Sequence, residues 1–273
     1  MKNALRWAVF ALAAFVLNFP VIVTLVTAFK GAKEINRNQS LWIWEPTLDN
    51  FKAVMTVSDR LNIWAYLYNS AVAAIIGAVL PILISLPIAW VMARRGYGQK
   101  TLFPLVANLR ALPLIVFAIP LYLMYRTLGL LDTQLGLGLI LAIVNLPLTL
   151  MLVVNAINEI PLELEEAAQM DGARLPRLLW RIVLPLTKPA LMTAFIFGFI
   201  TAWNEFLFGL MLTTREAVPM TVGASFFFAS AGGGVQWGSA AAVMTIAALP
   251  PLLIGLVMYR RLAGSVVAGA VKG

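Results

Sequence analysis

Six apolar segments, each long enough to cross a lipid bilayer, constrain this chain more than any other feature of its sequence. A membrane-spanning helix needs about 20 mostly apolar residues. A soluble core could not bury so much apolar surface without leaving a large exposed patch. The sequence therefore predicts an all-α integral membrane protein with six transmembrane helices. They are expected at residues 5–29, 66–92, 102–125, 135–154, 190–212 and 238–259.

Composition supports this class and excludes several kinds of active site. Hydrophobic residues make up 61% of the chain and charged residues 12%, against about 45–50% and about 25% in an average soluble domain. The chain contains no cysteine and no histidine, which excludes thiol catalysis, histidine-based metal sites and Ser-His-Asp triads. We therefore expect neither catalytic residues nor a metal site.

The basic residues report orientation rather than nucleic-acid binding, because lysine and arginine concentrate in cytoplasmic loops. With both termini cytoplasmic, 12 of the 20 basic residues lie on the inner side, seven on the outer side, and Arg110 lies within the third segment. Arg110 could extend its side chain to the inner interface or bind a partner subunit. The run after Lys2 and Arg6 continues to Phe29, so we expect a retained first span rather than a signal peptide.

The inner loop at residues 159–189 carries most of the remaining information. Pro161 suits a first helical turn, glutamates follow at the positive end of the helix dipole, and Gly172 is expected to stop the helix. A second short helix is expected to start near Pro176, and Pro185 and Pro189 are expected to end it before the fifth span. The pair forms either a cytoplasmic helix–turn–helix or an interfacial element among lipid headgroups.

The spacing within this loop matches a known motif. Glu166, Ala167 and Ala168 are followed by three residues, Gly172, nine residues, Ile182, one residue, and Leu184-Pro185. This pattern resembles the EAA loop of permease subunits in binding-protein-dependent ABC importers. The resemblance implies the type I ABC importer fold and a coupling helix that docks on an ATPase subunit. It assigns ATPase coupling to Glu165, Glu166, Ala167, Ala168, Met170, Asp171 and Gly172.

The resemblance extends over essentially the whole chain to the carbohydrate-uptake class, in particular to the small-subunit type of maltose permease. Supporting features are residues 109–120 with Gly129 to Thr133, residues 202–206, and residues 268–273 at the end of the expected cytoplasmic tail 260–273. Asp132-Thr133 could instead be only a helix N-cap. The resemblance implies that the tail contacts the ATPase, although it could be a frayed end. The tail residues concerned are Gly269, Val271, Lys272 and Gly273.

The resemblance also implies the partners: a second, MalF-like permease subunit, two ATPase subunits and an extracytoplasmic solute-binding protein. It implies a bacterial cytoplasmic (inner) membrane location. The phosphate-binding motif GxxxxGK[ST] is absent from the chain, so we expect ATP and Mg²⁺ to be used by the ATPase and no cofactor to be bound here.

Polar groups inside the spans are candidates for a substrate pathway, because such groups usually face the interior of a bundle. Each could instead be interhelical hydrogen-bond glue. The transported solute is expected to be a sugar or sugar derivative, with an amino acid or polyamine as the alternative. An ion-coupled carrier would need inverted repeats, which are absent, and an enzyme would need a converging catalytic set. The pathway candidates are Asn69, Asn145, Trp203, Asn204 and Glu205.

Overall fold

The computed structural model describes residues 2–58, 61–228 and 235–270, and this part of the chain is built from α-helices. The helices are α1 (Lys2–Ala28), α2 (Ala32–Arg37), α3 (Asp49–Met55), α4 (Ile63–Arg95), α5 (Leu102–Asn108), α6 (Ala118–Leu128), α7 (Gln134–Asn158), α8 (Leu162–Met170), α9 (Leu175–Leu178), α10 (Leu184–Trp203), α11 (Leu207–Leu212), α12 (Met220–Phe226) and α13 (Trp237–Ala270).

Five helical stretches are long and apolar enough to cross a membrane, and a sixth candidate is broken. The broken candidate consists of Leu102–Ala111 and Leu114–Leu128, which are bent by 103°. Pro113 causes the break, because a proline disfavours helical geometry in the residue before it. Leu112 accordingly has an extended backbone, with φ −79° and ψ 132°. The expected third span is thus two helices at a sharp angle.

The fifth span differs from its expected position. A continuous helical stretch runs from Leu175 to Trp203, so the expectation that Pro185 and Pro189 end a separate short helix is wrong. A π-helical turn at Leu179–Val183 joins α9 to α10. Such a wide turn leaves room for a proline ring that would clash with the preceding turn of an α-helix. The expected span at 190–212 ends early, at Trp203, and α11 follows as a separate short helix.

The last helix is longer than expected. The sequence predicts that the sixth span ends at 259 and gives way to a tail, but α13 continues to Ala270. Residues 262–270 contain no proline, and a helix once formed gains one hydrogen bond per added residue. Gly269 lies within α13, whereas Val271, Lys272 and Gly273 lie outside the described residues.

One compact unit comprises residues up to 65 together with 222–250. Its loop after α1 folds around the buried Lys30, whose Nζ donates to the carbonyl oxygens of Asn38 and Ser40 at 2.9 and 2.6 Å. Glu34 accepts from the backbone N–H groups of Trp44 and Glu45. These bonds satisfy charged groups that would be costly to bury alone.

The second unit comprises residues 66–221 and those from 251 onwards. In it, α4, α7 and α10 pack closely because glycines face the contacts. A Cβ on Gly138 would lie 2.7 Å from Ile76 Cβ, and one on Gly77 would lie 2.9 Å from Leu141 Cβ. Small residues of this kind let membrane helices approach each other. At the α8 end of this unit lies an apolar cluster, which we call the inner core. It contains Leu86, Ala89, Trp90, Met92, Leu150, Val153, Val154, Ile157, Ile160, Leu178, Leu179, Val183 and Leu191.

Candidate functional site

Helix α8 is a short helix with sharply defined ends, set between the fourth and fifth spans. Pro161 occupies the N-cap position, and Glu163 and Glu165 lie in the first turn. At the other end, Ala173 N donates to Ala168 O and Gly172 N donates to Gln169 O, both at 2.9 Å. Gly172 has φ +79°. This is a Schellman C-cap, which requires a left-handed residue and so favours glycine. The stop expected at Gly172 is confirmed.

The residues assigned to coupling lie on different faces of α8. Glu165 is only 1% exposed, and Ala168 is half-buried against the inner core. The others are exposed, and Met170 is 88% exposed. We call the exposed residues the outward surface of α8: Glu166, Ala167, Met170, Asp171 and Gly172.

Glu165 points inward and is held by two side chains of α4. Its Oε1 accepts from Arg94 Nε at 2.9 Å and from Arg94 Nη2 at 2.8 Å. Its Oε2 accepts from Trp90 Nε1 at 2.8 Å. Trp90 and Arg94 are four residues apart, so they share one face of α4. The sequence grouped Glu165 with the docking residues, but the structure places it on the opposite face of α8.

Arg94 also joins α8 to the end of α7. Its Nη2 donates to the carbonyl oxygens of Ile157 and Ile160, both at 2.9 Å. A planar guanidinium can bind the carbonyls and the carboxylate through Nη2 and the same carboxylate through Nε as well, whereas a lysine has all its donors on one nitrogen. Sequence reasoning missed Arg94, because Glu165 lies 71 residues away along the chain. The arginine looked like an ordinary basic residue at the inner end of a span.

Two of the five pathway candidates hold helices and loops together. Asn145 Nδ2 donates to Gly77 O and Gly198 O, both at 2.9 Å, and so links α7 to α4 and α10. Asn69 Nδ2 donates to Glu216 O and Val218 O at 3.0 Å, while its Oδ1 accepts from Gln134 Nε2 at 2.6 Å. These bonds are the interhelical role that the sequence left open beside a pathway role.

The other three candidates lie together at the end of α10. Trp203 is buried and stacks on Phe199, with ring centroids 5.7 Å apart. Asn204 Nδ2 donates to Ile200 O in its own helix. The carboxylate of Glu205 accepts from Phe208 N and Gly209 N, and therefore caps the start of α11.

A cavity of about 350 Å³ opens beside the break in the third span. Of the pathway candidates, Asn145 lines it, and the other polar groups in its wall are Arg110 and Thr201. Within the described residues, the Arg110 side chain has no ion pair or hydrogen bond. The apolar wall is formed by Leu109, Leu112, Leu114, Phe117, Leu121, Ile140, Ile143, Val144, Pro147, Leu148 and Phe208.

Asp132 joins the loop before α7 to the loop after α11. Thr133 is the N-cap of α7 and accepts from Gly136 N, whereas Asp132, at φ +53°, reaches the chain after α11. Its carboxylate accepts from the backbone N–H groups of residues 214–217 at 3.0–3.1 Å. Burial by itself would raise the pKa of Asp132, but these N–H groups hold it well below its usual range.

Comparison with known proteins identifies the family. The profile described as "Binding-protein-dependent transport system inner membrane component" matches residues 82–267. A trehalose/maltose transport system permease protein of Thermococcus litoralis is 31% identical over 96% of this chain and 94% of its own length. A diacetylchitobiose uptake system permease protein of Streptomyces coelicolor is 30% identical over 94% and 92%.

A solved structure confirms the fold. A chain of a bacterial ABC transporter involved in the import of the acidic polysaccharide alginate matches with a TM-score of 0.80 and 20% identity, over 95% of each chain. The expected all-α fold of type I ABC importer permeases is therefore correct. The several apolar helices also make the chain a multi-pass membrane protein. It belongs to the family of binding-protein-dependent transport system inner membrane components.

Proposed function

We propose that this chain is the transmembrane subunit of an ATP-driven importer and forms part of the translocation pathway for a sugar or sugar derivative. One observation carries the proposal: α8 lies between two spans, is held on its buried face through Glu165, and presents a small, exposed outward surface. A short rigid helix with a free face suits docking into a groove on another subunit. The permease relatives named for trehalose/maltose and diacetylchitobiose uptake support the sugar class.

The outward surface of α8 would receive the ATPase subunits. Ala167 and Gly172 carry at most a methyl group, so a partner backbone can approach this surface closely. Met170 offers a flexible apolar side chain. ATP and Mg²⁺ would be bound and ATP hydrolysed by two separate ATPase subunits, which agrees with the missing phosphate-binding motif in this chain. Gly269, Val271, Lys272 and Gly273 remain candidates for a further ATPase contact.

The other partners would be a second, MalF-like permease subunit and a solute-binding protein on the outer side. Both termini would be cytoplasmic. The cavity beside the third-span break would be this chain's share of the pathway, because discontinuous membrane helices commonly form solute sites near the midplane. Asn145 is then the pathway candidate with the best support, and Asn69, Trp203, Asn204 and Glu205 would act mainly in packing and capping.

The test is whether this chain assembles with an ATPase in the cell membrane from which it is purified. The tagged chain is purified in detergent, and ATP hydrolysis is measured before and after adding solute-binding protein. We expect Glu166→Gln and Gly172→Val to weaken ATPase copurification, because each alters the outward surface of α8. Glu159→Gln is the matched control, since Glu159 is an exposed carboxylate before α8.

Two results would contradict the proposal. One is solute transport by the purified chain alone under an ion gradient, which would make it a secondary carrier. The other is unchanged copurification and ATPase stimulation in both Glu166→Gln and Gly172→Val.

A further inference from the structure

The attachments of α8 decide how this helix moves when its outward surface is pushed. Helix α8 is joined covalently to α7 at its start and to α9 at its end. Its flanks are Pro161 and Gly172, which begin and stop the helix. A helix tethered only at two ends can roll about its own axis when its free face is pushed.

Glu165 supplies a third attachment, within the first turn of α8. The carboxylate is 1% exposed and uses both oxygens, one for Arg94 and one for Trp90. Two donors on separate side chains of α4 fix the orientation of the carboxylate as well as its position. Ala168, one turn further on, packs on the inner core beside it. Rolling of α8 would break the buried ion pair and expose this face.

We propose that Glu165 is a positioning residue that ties the coupling helix to the second span through Arg94 and Trp90, and that displacement of α8 therefore reaches α4 directly. The inference rests on the proposed function, because it concerns the direction in which force from an ATPase is delivered. Glu165 does not touch the ATPase; it holds the surface that does.

Arg94 extends the attachment to a third element. The same Nη2 that binds Glu165 also donates to the carbonyl oxygens of Ile157, in the last turn of α7, and of Ile160, two residues after α7 ends. The Ile157 carbonyl lies at the negative end of the α7 dipole, where a cation is favoured. The guanidinium thus locks α4, α7 and α8 into one body. Since the bridge uses several donors, Lys cannot replace Arg94 fully.

The chain has no cysteine, so the test can use introduced cysteines without background. Arg95 and Gln169 are both exposed, one at the end of α4 and the other on α8. Arg95→Cys and Gln169→Cys are spin-labelled, and the distance between the labels is measured by electron paramagnetic resonance. The complete importer is compared without nucleotide and with ATP trapped by an inactive ATPase.

We expect one narrow label distance in both states when Glu165 is present. Glu165→Gln removes one charge of the buried ion pair, whereas Arg94→Lys keeps the charge and loses the planar set of donors. In both variants the distance should broaden or split with ATP, and solute transported per ATP hydrolysed should fall about tenfold. Trp90→Phe removes one hydrogen bond and keeps the ring, so a drop of about threefold is expected. Trp90→Phe and Arg94→Lys carry the test if Glu165→Gln does not fold.

Glu159→Gln is the control, because it removes an exposed carboxylate from the same loop. It should leave the label distance and the transport ratio unchanged. The inference is overturned if Glu165→Gln, or the two milder variants in its place, keeps a narrow distance and a normal transport ratio. Failure of the proposed function would look different: the labelled chain without further substitution would then retain no ATPase and show no ATP-dependent transport of solute.

Discussion

At the scale of single residues, carboxylates in this protein have structural roles that their sequence context does not reveal. Asp132, Glu165 and Glu205 each accept several N–H groups, but the donors come from different sources. Asp132 accepts from backbone N–H groups of a distant loop, and Glu165 accepts from side-chain N–H groups of α4. Glu205 accepts from backbone N–H groups in the first turn of α11. In each case the carboxylate satisfies donors that would otherwise be left without partners.

Substitution of Asp132 tests the first of these contacts. We expect Asp132→Asn to lower the free energy of unfolding by about 1–2 kcal/mol, because an amide accepts fewer hydrogen bonds and carries no charge, and partial exposure of the site reduces the cost. Thermal unfolding of the purified protein in detergent measures this change in the free energy of unfolding. Asp49→Asn is the control, since the Asp49 side chain is 81% exposed. Equal stability of the two variants would contradict the role of Asp132.

The lowered pKa of Asp132 gives this difference a defined pH dependence. A carboxyl group whose pKa is lower in the folded state stabilises the fold above its unfolded pKa, about 3.9. The contribution is lost as pH falls below that value towards the folded pKa. The unfolding temperatures of wild type and Asp132→Asn should therefore differ fully at pH 5–7 and converge only below about pH 4. Convergence already near pH 6 would argue against a lowered pKa.

At the scale of elements, helix packing in the second unit depends on glycines and one buried amide. Gly77 and Gly138 leave no room for a side chain, and Asn145 links the carbonyl oxygens of Gly77 and Gly198. Close backbone approach and interhelical hydrogen bonds are the means by which membrane helices associate without a hydrophobic driving force.

Enlarging Gly138 should therefore be costly. We expect Gly138→Ala to lower the free energy of unfolding by about 1–3 kcal/mol, because the new methyl group would overlap Ile76. Denaturation in detergent, followed by tryptophan fluorescence, measures the change. Gly255→Ala offers a matched comparison, because a Cβ added at Gly255 would have no neighbouring atom within 4 Å. It should be neutral or slightly stabilising, since alanine favours helices more than glycine does.

Substitution of Asn145 can distinguish a role in helix packing from contact with the transported solute. If the residue acts only in packing, Asn145→Ala should cost about 1–2 kcal/mol of stability, because two carbonyls lose their partner, and KM for the transported solute should not change. If it also contacts the solute in the cavity, KM should rise as well. Stability and transport measured on the same reconstituted preparation distinguish the two results.

At the scale of the whole molecule, the basic residues predict that both termini are cytoplasmic and that α8 lies on the inner side. Single cysteines in this cysteine-free chain test the orientation. A membrane-impermeant thiol reagent applied to intact spheroplasts should label Asp49→Cys, in the outer loop, and should label Arg95→Cys or Gln169→Cys only after the membrane is opened. Labelling of the last two in intact spheroplasts would invert the proposed topology and place α8 out of reach of a cytoplasmic ATPase.

The class of this protein follows from its amino-acid sequence alone, because apolar runs of membrane length leave few other solutions. The position of α8 and its stop follow in the same way, since proline, acidic residues and glycine act locally on helix ends. Local signals were less reliable where packing set the outcome: Pro113 broke the third span, whereas Pro185 and Pro189 did not end the helix that contains them.

Which polar residues face each other became clear only once the helices were placed in three dimensions. Glu165 and Arg94 lie 71 residues apart, and Asp132 lies more than 80 residues from the backbone groups that it binds. No periodicity records such pairs, because they depend on how separate helices are placed in space. The physical reason is that helix ends are set by neighbours along the chain, whereas buried charges are satisfied by whatever partner the packing brings within hydrogen-bonding distance.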